Sequence, residues 1–519
     1  DPFALPAMAA AVDRLYAARA RGEPVVIFGD YDVDGVTATA LLTEVLRGLG
    51  LDVQPFLPLR LDEGYGLSPD GVGHCLEKHP ARVLLAVDCG STAVETVAHL
   101  NARGLDVIVL DHHQVADPPP AAYALVNPRV AGPAAPGVEL CSVGLAFKLA
   151  HALLKRGREL GDPAAASVDL KPLLDLVALG TVADLVPLRN ENRVLVAAGL
   201  ERLNETRRPG LQALCEVANL RQRIGVHEVG FILGPRLNAA GRLEDAHEAL
   251  DLVMAPDFER ATAIAHSLEA RNRQRQDIER DIAAQVTAVL EQKFNPDTDY
   301  AIVEGRLLWH IGVVGIVASR VLSQFYRPTI IIGGDGPNWR GSGRSIEGFD
   351  LAAALRECDD LLVRHGGHAM AAGLTIEPDR LDAFRTRLND LARRRLTPDL
   401  LRPPLRLDAE AELPDLDLES VRELGRLQPS GQGNPPVQVV LRAVRLSREP
   451  QRLGHEQQHA KFWVTQTGVE SVECIWWGAG KREVPSGRFD LACAPLVHAY
   501  HGREYVQLKV LDWRAAGGF

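Results

Sequence analysis

Short apolar runs alternate with helix-like segments along the first part of the chain. Near-continuous apolar runs occupy residues 25–29, 83–87 and 107–110, and residues 53–57 are a further predicted strand. Apolar residues with helical spacing fill the intervals at 36–49 and 94–103. Strands that are apolar on both faces and separated by helices are typical of a parallel sheet covered by helices. The pattern therefore predicts an α/β domain.

Acidic residues and histidines follow these predicted strands. Three aspartates come after the first strand, one after the third, and an Asp-His-His sequence after the fourth; another aspartate follows an apolar helical segment at 173–179. The residues are Asp30, Asp32, Asp34, Asp88, Asp111, His112, His113 and Asp184. The carboxyl ends of parallel strands share one edge of the sheet, where α/β proteins bind their ligands. We therefore expect these side chains to form one site.

A structural explanation competes with a metal site. A single aspartate after a strand is most often a helix cap or turn residue, and Asp111 is open to a structural role as well. Several carboxylates within about 5–7 Å, however, repel by roughly a few kcal/mol per pair even at a dielectric of about 20, so they need cations. Oxygen ligands with imidazole suit Mg²⁺ or Mn²⁺. A site this acidic can hold two such ions, which activate water and bind a phosphoryl group.

The middle of the chain is predicted to be mainly helical. In GPRLNAAGRL at 234–243, the glycines and asparagine predict a turn that presents Arg236 and Arg242, either as phosphate ligands or as surface arginines. A helical pattern then runs from Pro256 to about Phe294. Its centre is polar almost all round, which is typical of a helix that connects two domains. At 1.5 Å per residue it spans about 55 Å.

A second α/β domain is predicted after this helix. Strand-like runs at 300–303 and 329–332 flank a helical segment with a Gly-rich start at 309–320. The segments RGSGRS at 340–345 and RHGGHAMAAG at 364–373 have the composition of anion-binding loops. Each alone is weak evidence, because Gly-rich segments also form ordinary turns.

Short alternating runs separated by turn residues fill the chain beyond residue 403. They lie at 405–408, 437–444, 461–464, 471–476, 491–494 and 504–508, which predicts a small antiparallel β-barrel of the OB type. Trp463, Trp476 and Tyr505 lie in these runs, and basic residues outnumber acidic ones from Leu441 onward. Such barrels hold single strands by base stacking and backbone contacts. The alternative is that most of these aromatic side chains belong to the core.

Composition limits the class of protein. At 519 residues the chain is expected to contain two to four domains, and its 46% hydrophobic and 24% charged residues are typical of a globular protein. No apolar run reaches about 18 residues, so no membrane span is expected. Seven scattered cysteines without a CxxC pair predict a reducing, cytoplasmic setting. The net charge of −11 argues against coating by nucleic acid over the whole surface, although a local basic groove is compatible with it. Because residue 1 is Asp, we expect the sequence to be a trimmed form of a longer chain.

Four motifs, GDYDVDG, VDCG, LDHH and GTVADLVPL, occur in this order and closely resemble those of the DHH phosphoesterase superfamily. The resemblance implies two Mn²⁺ or Mg²⁺ ions. It assigns Asp32 and Asp34 to one ion each and Asp88 to both, with Asp184 and His112 completing one shell. His113 would face the substrate phosphate, and Asp30 would be a further ligand or a base. One difference is Phe28, where some relatives have histidine; it leaves the first ion one ligand short unless Asp30 or water replaces it.

The Gly-Gly-His segment resembles the DHH-associated domain, whose loop closes over the substrate. The resemblance implies a substrate-binding set made up of Arg60, Arg236, Ser342, Arg344, Gly366, Gly367 and His368. With Trp463, Trp476 and Tyr505 of the barrel, these complete the predicted site residues. The implied domains are a catalytic domain at 1–250, the connecting helix at 251–295, the DHH-associated domain at 296–402 and the OB barrel at 403–519.

This domain order resembles the RecJ family of bacterial exonucleases over nearly the whole chain. The resemblance implies 5′→3′ degradation of single-stranded DNA to mononucleotides in recombination and repair. It also implies a monomer that works with a single-strand-binding protein and a helicase. Two other functions remain open: a DHH phosphodiesterase acting on oligonucleotides or cyclic dinucleotides, and a non-catalytic replication scaffold. Of these, the small-substrate enzymes lack the barrel, and the full set of acidic residues argues against the scaffold.

Overall fold

The structure is a computed structural model that describes residues 1–59, 63, 66–243, 245–334, 336–454, 457–466, 468, 470–480 and 482–517. Its residue contacts divide the chain into two units. The first unit contains residues 1–184 and 198–403, and the second contains residues 185–197 and 404–519. Each unit is described by itself.

The first unit begins with a five-stranded parallel sheet, as the apolar runs predict. Its strands are β1 Val25–Phe28, β2 Val53–Phe56, β3 Val83–Val87, β4 Asp106–Leu110 and β5 Ala124–Val126. They lie in the order β2-β1-β3-β4-β5, and every pairing is parallel. The helices of this region are α1 Met8–Arg21, α2 Val33–Gly48, α3 Pro69–Lys78, α4 Val94–Ala102, α5 Ser142–Glu159, α6 Pro163–Ser167 and α7 Leu174–Ala183. The ends of β1, β3 and β4 therefore point to one edge, where the motifs lie.

A helical region follows. Its helices are α8 Asn190–Asn204, α9 Pro209–Val217, α10 Val226–Glu228, α11 Gly234–Leu243, α12 His247–Val253 and α13 Phe258–Lys293, with a π-helical turn at Val229–Leu233. The turn predicted at 234–243 is wrong, because this segment is helix α11. Its glycine at 241 serves close packing instead, since a Cβ there would lie 2.9 Å from the Tyr31 carbonyl oxygen.

The predicted long helix is α13, which has 36 residues. It packs against α9 and α11 and, further along, against the helix Val314–Phe325 of the next region. The polar centre of α13 is only partly solvated, because Glu269, Asn272 and Arg275 are buried there. Arg275 donates to Glu279 at 3.0 Å and to Asn272 at 3.0 Å. Hydrogen-bonded polar contacts therefore stabilise the middle of this connection.

The second α/β region of the first unit has a mixed sheet. Its elements are β6 Ile302–Leu307, α14 Val314–Phe325, β7 Thr329–Gly334, β8 Trp339–Arg344, α15 Leu351–Arg356, β9 Arg364–Gly367, β10 Ala371–Ile376 and α16 Leu381–Arg395. The strand order is β6-β7-β8-β10-β9, in which β6 and β7 are parallel and the other pairings antiparallel. The predicted anion-binding loops are therefore largely strands: RGSGRS lies mostly in β8, and RHGGHAMAAG forms the β9–β10 hairpin.

The second unit is the β-rich barrel. Its elements are β11 Ala409–Ala411, α17 Leu418–Leu424, β12 Val439–Leu446, β13 Gln451–Leu453, β14 His459–Thr465, β15 Val472–Trp476, β16 Phe489–Tyr500 and β17 Arg503–Ala515. The strands follow the order β11-β12-β16-β17-β15-β14-β13, and an additional β12–β14 pairing closes the sheet. The strand predicted at 405–408 lies instead at Ala409–Ala411, and two pairings are parallel rather than antiparallel.

Residues 185–197 belong to the second unit, although the sequence pattern assigns them to the first domain. The Leu188 backbone N–H donates to the Gln432 carbonyl at 2.7 Å. Arg193 donates to the Arg426 carbonyl at 2.8 Å. These bonds join positions more than 200 residues apart, which local sequence patterns do not reveal.

Candidate metal centre and cleft

The first motif turns from strand β1 into helix α2. Asp32 caps the helix by accepting from the backbone N–H of Asp34 at 2.9 Å and of Gly35 at 3.1 Å. Gly35 is required by close packing, because a Cβ there would lie 2.5 Å from the Asp30 carbonyl oxygen. Asn238 of α11 accepts from the Val33 N–H at 3.2 Å. The turn is thereby held from both sides.

Helix α5 begins directly beside the aspartates. The Asp34 carboxylate accepts from the backbone N–H groups of Ser142 at 2.6 Å and of Val143 at 2.8 Å. The Ser142 hydroxyl donates to Asp88 Oδ1 at 2.8 Å. An anionic side chain is favoured at a helix N-terminus, since free N–H groups and the helix dipole both point at it. The sequence interpretation missed Ser142; the only signal was a run of small residues at a helix start.

Asp88 has an unusual backbone. Its φ of 64° lies in the left-handed region, where a residue other than glycine is uncommon. Its N–H donates to the Leu110 carbonyl at 3.0 Å, so the end of β3 is tied to the end of β4. Such strain is concentrated at functional sites. The conformation places the carboxylate against Ser142 instead of continuing the strand.

Asp111 positions the two histidines that follow it. Its carboxylate accepts from the backbone N–H groups of Ser91, His112 and His113 and from His113 Nδ1 at 2.7 Å. Burial alone raises the pKa of Asp111, but the hydrogen bond and charge of His113 outweigh it, and the pKa falls below its ordinary value. Although burial lowers the pKa of His113, the bond to Asp111 raises it to about 9. The structure thus favours the structural interpretation of Asp111.

The predicted ligands, together with His113, meet in three groups that share Asp88 and His112. The ligand atoms within each group all lie within 4.8 Å of one another. The groups are Asp30 with Asp32 and Asp88, Asp34 with His112 and Asp184, and Asp88 with His112 and His113. His112 Nε2 lies 3.5 Å from Asp88 Oδ1 and 3.6 Å from Asp184 Oδ2. Asp88 and His112 each belong to two groups, so they are the residues best placed to be shared.

Helix packing brings Asp184 to this edge. Asp184 is the C-cap of α7, which packs against α2. Gly180 permits the approach, because a Cβ there would lie 2.4 Å from Thr37 Oγ1 and 3.2 Å from Asp34 Oδ1. Gly180 of the fourth motif therefore lets the two helices pack closely, and Asp184 offers a carboxylate oxygen as a metal ligand.

The donor set fits divalent cations. Burial raises the pKa of Asp34, Asp88 and Asp184, and the neighbouring carboxylates raise it further. Burial, followed by the charge of His113, lowers the pKa of His112 to about 3, so this imidazole is neutral and able to ligate a metal. Within the described part of the chain, the buried atoms His112 Nε2 and Asp184 Oδ2 have no hydrogen-bond partner. Ions coordinated here would compensate the repulsion and engage both atoms.

Phe28 belongs to the hydrophobic core of the sheet, and Asp30 lies where it could replace the histidine of some relatives. The Phe28 ring is buried and packs against Phe56, with ring centroids 5.5 Å apart, in a hydrophobic cluster of the sheet. Asp30, Asp32 and Asp88 make a group of three carboxylates without it.

A cleft of about 1170 Å³ lies over the metal centre. One wall contains Tyr31, Asp88, Asp111 and His113, and the facing wall comes from β8 and the β9–β10 hairpin. Among the predicted substrate residues, Ser342, Gly366, Gly367 and His368 line this cleft. Arg340 and Arg364 line it too. The sequence interpretation missed these two arginines, although both lie within the segments it singled out.

Two other predicted substrate arginines are engaged elsewhere. Arg236 forms an ion pair with Glu269 at 2.7 Å and donates to the Ile232 carbonyl at 2.8 Å. Arg344 turns back on its own strand, donating to Ser342 Oγ at 3.1 Å and to the Gly343 carbonyl at 2.8 Å. Neither is among the described lining residues of the cleft. Arg60 lies outside the described residues.

The barrel aromatics differ from the prediction. Trp476 is 4% exposed and belongs to the core, and Trp463 is 7% exposed beneath the Arg448 guanidinium, which lies 3.3 Å from its ring centroid. Tyr505 is partly buried beside Glu473. Among the described aromatic residues of the barrel, the exposed ones are instead Trp477, at 57%, and Tyr500, at 63%. Bases can stack only on accessible rings, so Trp476 does not fit the stacking role.

The fold and the carboxylate–imidazole clusters define a metal-dependent DHH phosphoesterase. Three family models match the chain: the DHH family N-terminal domain at residues 24–181, the DHHA1 domain at 297–394 and the RecJ OB domain at 407–512. The chain belongs to the RecJ family. The resemblance read from the four motifs is thereby confirmed.

Relatives named single-stranded-DNA-specific exonuclease RecJ match nearly the whole chain. The Dickeya dadantii protein is 38% identical over 96% of this chain and 89% of its own length. The Bacillus subtilis protein is 36% identical over 99% of this chain, which spans 64% of that relative. The crystal structure of Thermus thermophilus RecJ with Mn²⁺ matches with a TM-score of 0.82 and 32% identity, covering 99% of this chain and 73% of that one. Its Mg²⁺ complex matches with a TM-score of 0.77, 30% identity and coverage of 99% and 71%.

The prediction of Mn²⁺ or Mg²⁺ as cofactor agrees with these two complexes and with the donor set of this chain. In the part of the chain that the structure describes, no helix has both the length and the apolar character needed to span a bilayer.

Proposed function

We propose that this protein is a metal-dependent exonuclease that degrades single-stranded DNA from its 5′ end, releasing mononucleotides in recombination and repair. The observation that carries the proposal is the shared cleft. Asp88 and His113, which belong to the donor groups, line one wall, and the Gly-Gly-His hairpin lines the other. Single-stranded DNA is proposed as the substrate because relatives in the RecJ family are named single-stranded-DNA-specific exonucleases.

The acidic edge would hold two divalent ions. Their ligands would be Asp30, Asp32, Asp34, Asp88, His112 and Asp184. When bound, Mn²⁺ or Mg²⁺ at this centre supplies Lewis acidity to the attacking water and to the scissile phosphate. Asp88, at the overlap of two groups, would be the shared ligand. Ser142 would orient it by donating to Oδ1.

The remaining groups of the cleft would bind the phosphodiester. Asp111 holds His113 through Nδ1, so the other ring nitrogen is free to donate to a phosphate oxygen, and the pKa of about 9 keeps it protonated at neutral pH. Ser342 and His368 would bind phosphates from the facing wall, with Arg340 and Arg364 beside them. Gly366 and Gly367 would let the strand backbone approach closely.

The second unit would bind the incoming single strand. Exposed Trp477 and Tyr500 offer rings on which bases can stack, and stacking tolerates any sequence. We further propose that the protein is a cytoplasmic monomer that acts with a single-strand-binding protein and a helicase, on the basis of family membership.

Labelled oligonucleotides test the proposal directly. A single strand labelled at its 5′ end and incubated with Mn²⁺ should yield labelled mononucleotide from the earliest times, whereas a 3′ label should stay in long products. A blunt duplex should resist, and EDTA should stop the reaction. Release of label first from the 3′ end would overturn the polarity. Hydrolysis of cyclic or very short oligonucleotides without attack on long strands would favour the small-substrate alternative.

A further inference from the structure

The segment after β5 holds the two histidines of the third motif by their backbone carbonyls. Asn127 Nδ2 donates to the His113 carbonyl at 2.9 Å and to Ser91 Oγ at 2.8 Å. Arg129 Nε donates to the His112 carbonyl at 2.6 Å. Asp111 binds the N–H groups of the same two residues. Because Asn127 Oδ1 also accepts from the Arg129 N–H at 2.9 Å, the start of the Arg129 side chain is itself fixed.

The guanidinium of Arg129 is fixed through one nitrogen and exposed at the rest. Among the described residues, no protein acceptor engages its two terminal amino groups, and the side chain is exposed. The positive charge of Arg129 also acts on His368, which lies on the facing wall of the cleft. After desolvation by burial, the positive charges of His113 and Arg129 lower the pKa of His368. The geometry that places Arg129 beside the candidate metal centre is its bond to the backbone carbonyl of His112.

An anion is the ligand that suits this position. A guanidinium has five N–H donors in a planar fork, and after one is used by His112 the terminal amino groups can bind two phosphate oxygens together. The bond to His112 holds the side chain in place, so less conformational entropy is lost when the phosphate binds. The neighbouring Asp111 carboxylate accepts from Ser91, His112 and His113 rather than from Arg129.

We propose that Arg129 binds a backbone phosphate of the single strand at the edge of the metal centre, next to the phosphate that is cleaved. The inference rests on the proposed function for the identity of the strand. It adds a phosphate-binding residue that the sequence motifs do not include. Because Arg129 also donates to the His112 carbonyl, it would fix the position of this phosphate relative to His112, a candidate metal ligand.

Salt dependence of strand binding tests the proposal. The full chain and the Arg129→Gln, Arg129→Lys and Arg158→Gln variants are compared by fluorescence anisotropy with labelled oligo-dT in EDTA, across a series of NaCl concentrations. Removing one phosphate contact should reduce the slope of log K against log salt by about 0.7. We expect this in Arg129→Gln, together with roughly tenfold weaker binding at low salt. Arg129→Lys should keep the slope, because it keeps the charge.

Arg158 is the matched control. It is an exposed arginine near the end of α5, 16 residues and about 24 Å along the helix from Ser142, so its loss should change neither slope nor affinity. A second readout is the Mn²⁺ concentration that gives half-maximal cleavage, which should be unchanged in Arg129→Gln.

An unchanged salt slope in Arg129→Gln would overturn the proposal. If the Mn²⁺ requirement were raised at the same time, the result would mean that Arg129 only positions His112. If instead the proposed function were wrong, the parent chain would bind the strand without cleaving it. The salt slopes of the parent chain and of Arg129→Gln would still show whether Arg129 binds a phosphate.

Discussion

Buried aspartates occur in both units, and their surroundings differ. In the barrel, buried Asp490 accepts from Arg442 at 2.8 Å, from Arg514 at 3.1 Å and from the Ala443 N–H at 3.1 Å. Burial alone would raise its pKa, but these partners lower it below the ordinary value. At the sheet edge of the first unit, Asp88 is also buried, and its pKa is raised by burial and by the other carboxylates.

The comparison separates a structural carboxylate from a ligand. Asp490 has its compensating charges within the protein, so it needs nothing further. Among the described residues, Asp34 and Asp88 accept from backbone and hydroxyl donors, and Asp88 and Asp184 lie beside the neutral imidazole of His112, with no Lys or Arg ion pair to these three carboxylates. A buried acidic group alone therefore indicates little; what indicates a metal site is that its charge is left for an ion to compensate.

The largest expected effect comes from the shared ligand. Asp88→Asn should slow single-turnover cleavage of a labelled single strand by about 10³-fold or more, or roughly 4 kcal/mol in the barrier, because both ions lose a charged ligand. Asparagine tolerates the left-handed conformation and removes a repelled charge, so the metal-free variant should unfold at the same or a higher temperature. Strand binding should persist. A rate within tenfold of the parent would contradict the two-ion centre, and Asp490→Asn serves as the control.

Metal binding should stabilise the folded chain. Addition of Mn²⁺ at 100 times its Kd should contribute about 2.7 kcal/mol, measured as a rise in melting temperature. Asp184→Asn should reduce this rise, because it removes one charged ligand from the group that Asp184 forms with Asp34 and His112, so the ion would bind more weakly. If the rise were the same in Asp184→Asn, the ion would be bound elsewhere.

A smaller effect is expected in the barrel. Asp490→Asn should destabilise the protein by about 1 kcal/mol at neutral pH, measured by urea unfolding, because two arginines lose a charged acceptor. The folded pKa of Asp490 lies below its unfolded value of about 3.9, so its contribution is complete above that value and is lost as the pH falls through the folded pKa. The difference between the two proteins should therefore shrink in acid. A difference that grew in acid would contradict this account.

The smallest effect concerns the exposed aromatic of the barrel. Trp477→Ala should weaken binding of a long single strand by about 1 kcal/mol, through loss of base stacking, while stability changes by less than about 0.5 kcal/mol. Tyr123→Ala, an aromatic of the first unit that is 51% exposed, is the matched control. Equal losses of affinity in both variants would show that the strand binds non-specifically to exposed aromatic side chains rather than to the barrel.

Local patterns predicted the first sheet and its chemistry well. The continuous apolar runs identify β1, β3 and β4, the shorter apolar pattern at 53–57 identifies β2, and parallel pairing follows from the helices between them. Because parallel strands end at a common edge, the aspartates after them could be expected to converge before any coordinates were known. Mn²⁺ or Mg²⁺ then followed from the donor types.

Glycine positions misled the interpretation where packing decided their role. Gly241 lies inside helix α11 and lets it approach Tyr31, although it resembles a turn residue in the sequence. Gly341 and Gly343 of β8 face apolar side chains, since a Cβ at either would lie within 3 Å of a neighbouring Ile or Leu. A glycine can mark a position where a Cβ would clash with a neighbour, or one where the backbone has a positive φ. The sequence alone does not distinguish these two reasons.

The sequence by itself determined the order of the motifs, the parallel sheet and the nature of the metal ligands, because these depend on strand periodicity and on residues next to strand ends. Tertiary structure decided the partners of those residues. Ser142, Asn238 and Arg129 reach the site from a helix start, a helix middle and a short turn that are distant in the chain. It also decided that Trp476 faces the core and Trp477 the solvent, since adjacent residues at the end of a strand point to opposite sides and only the sheet defines which side is covered.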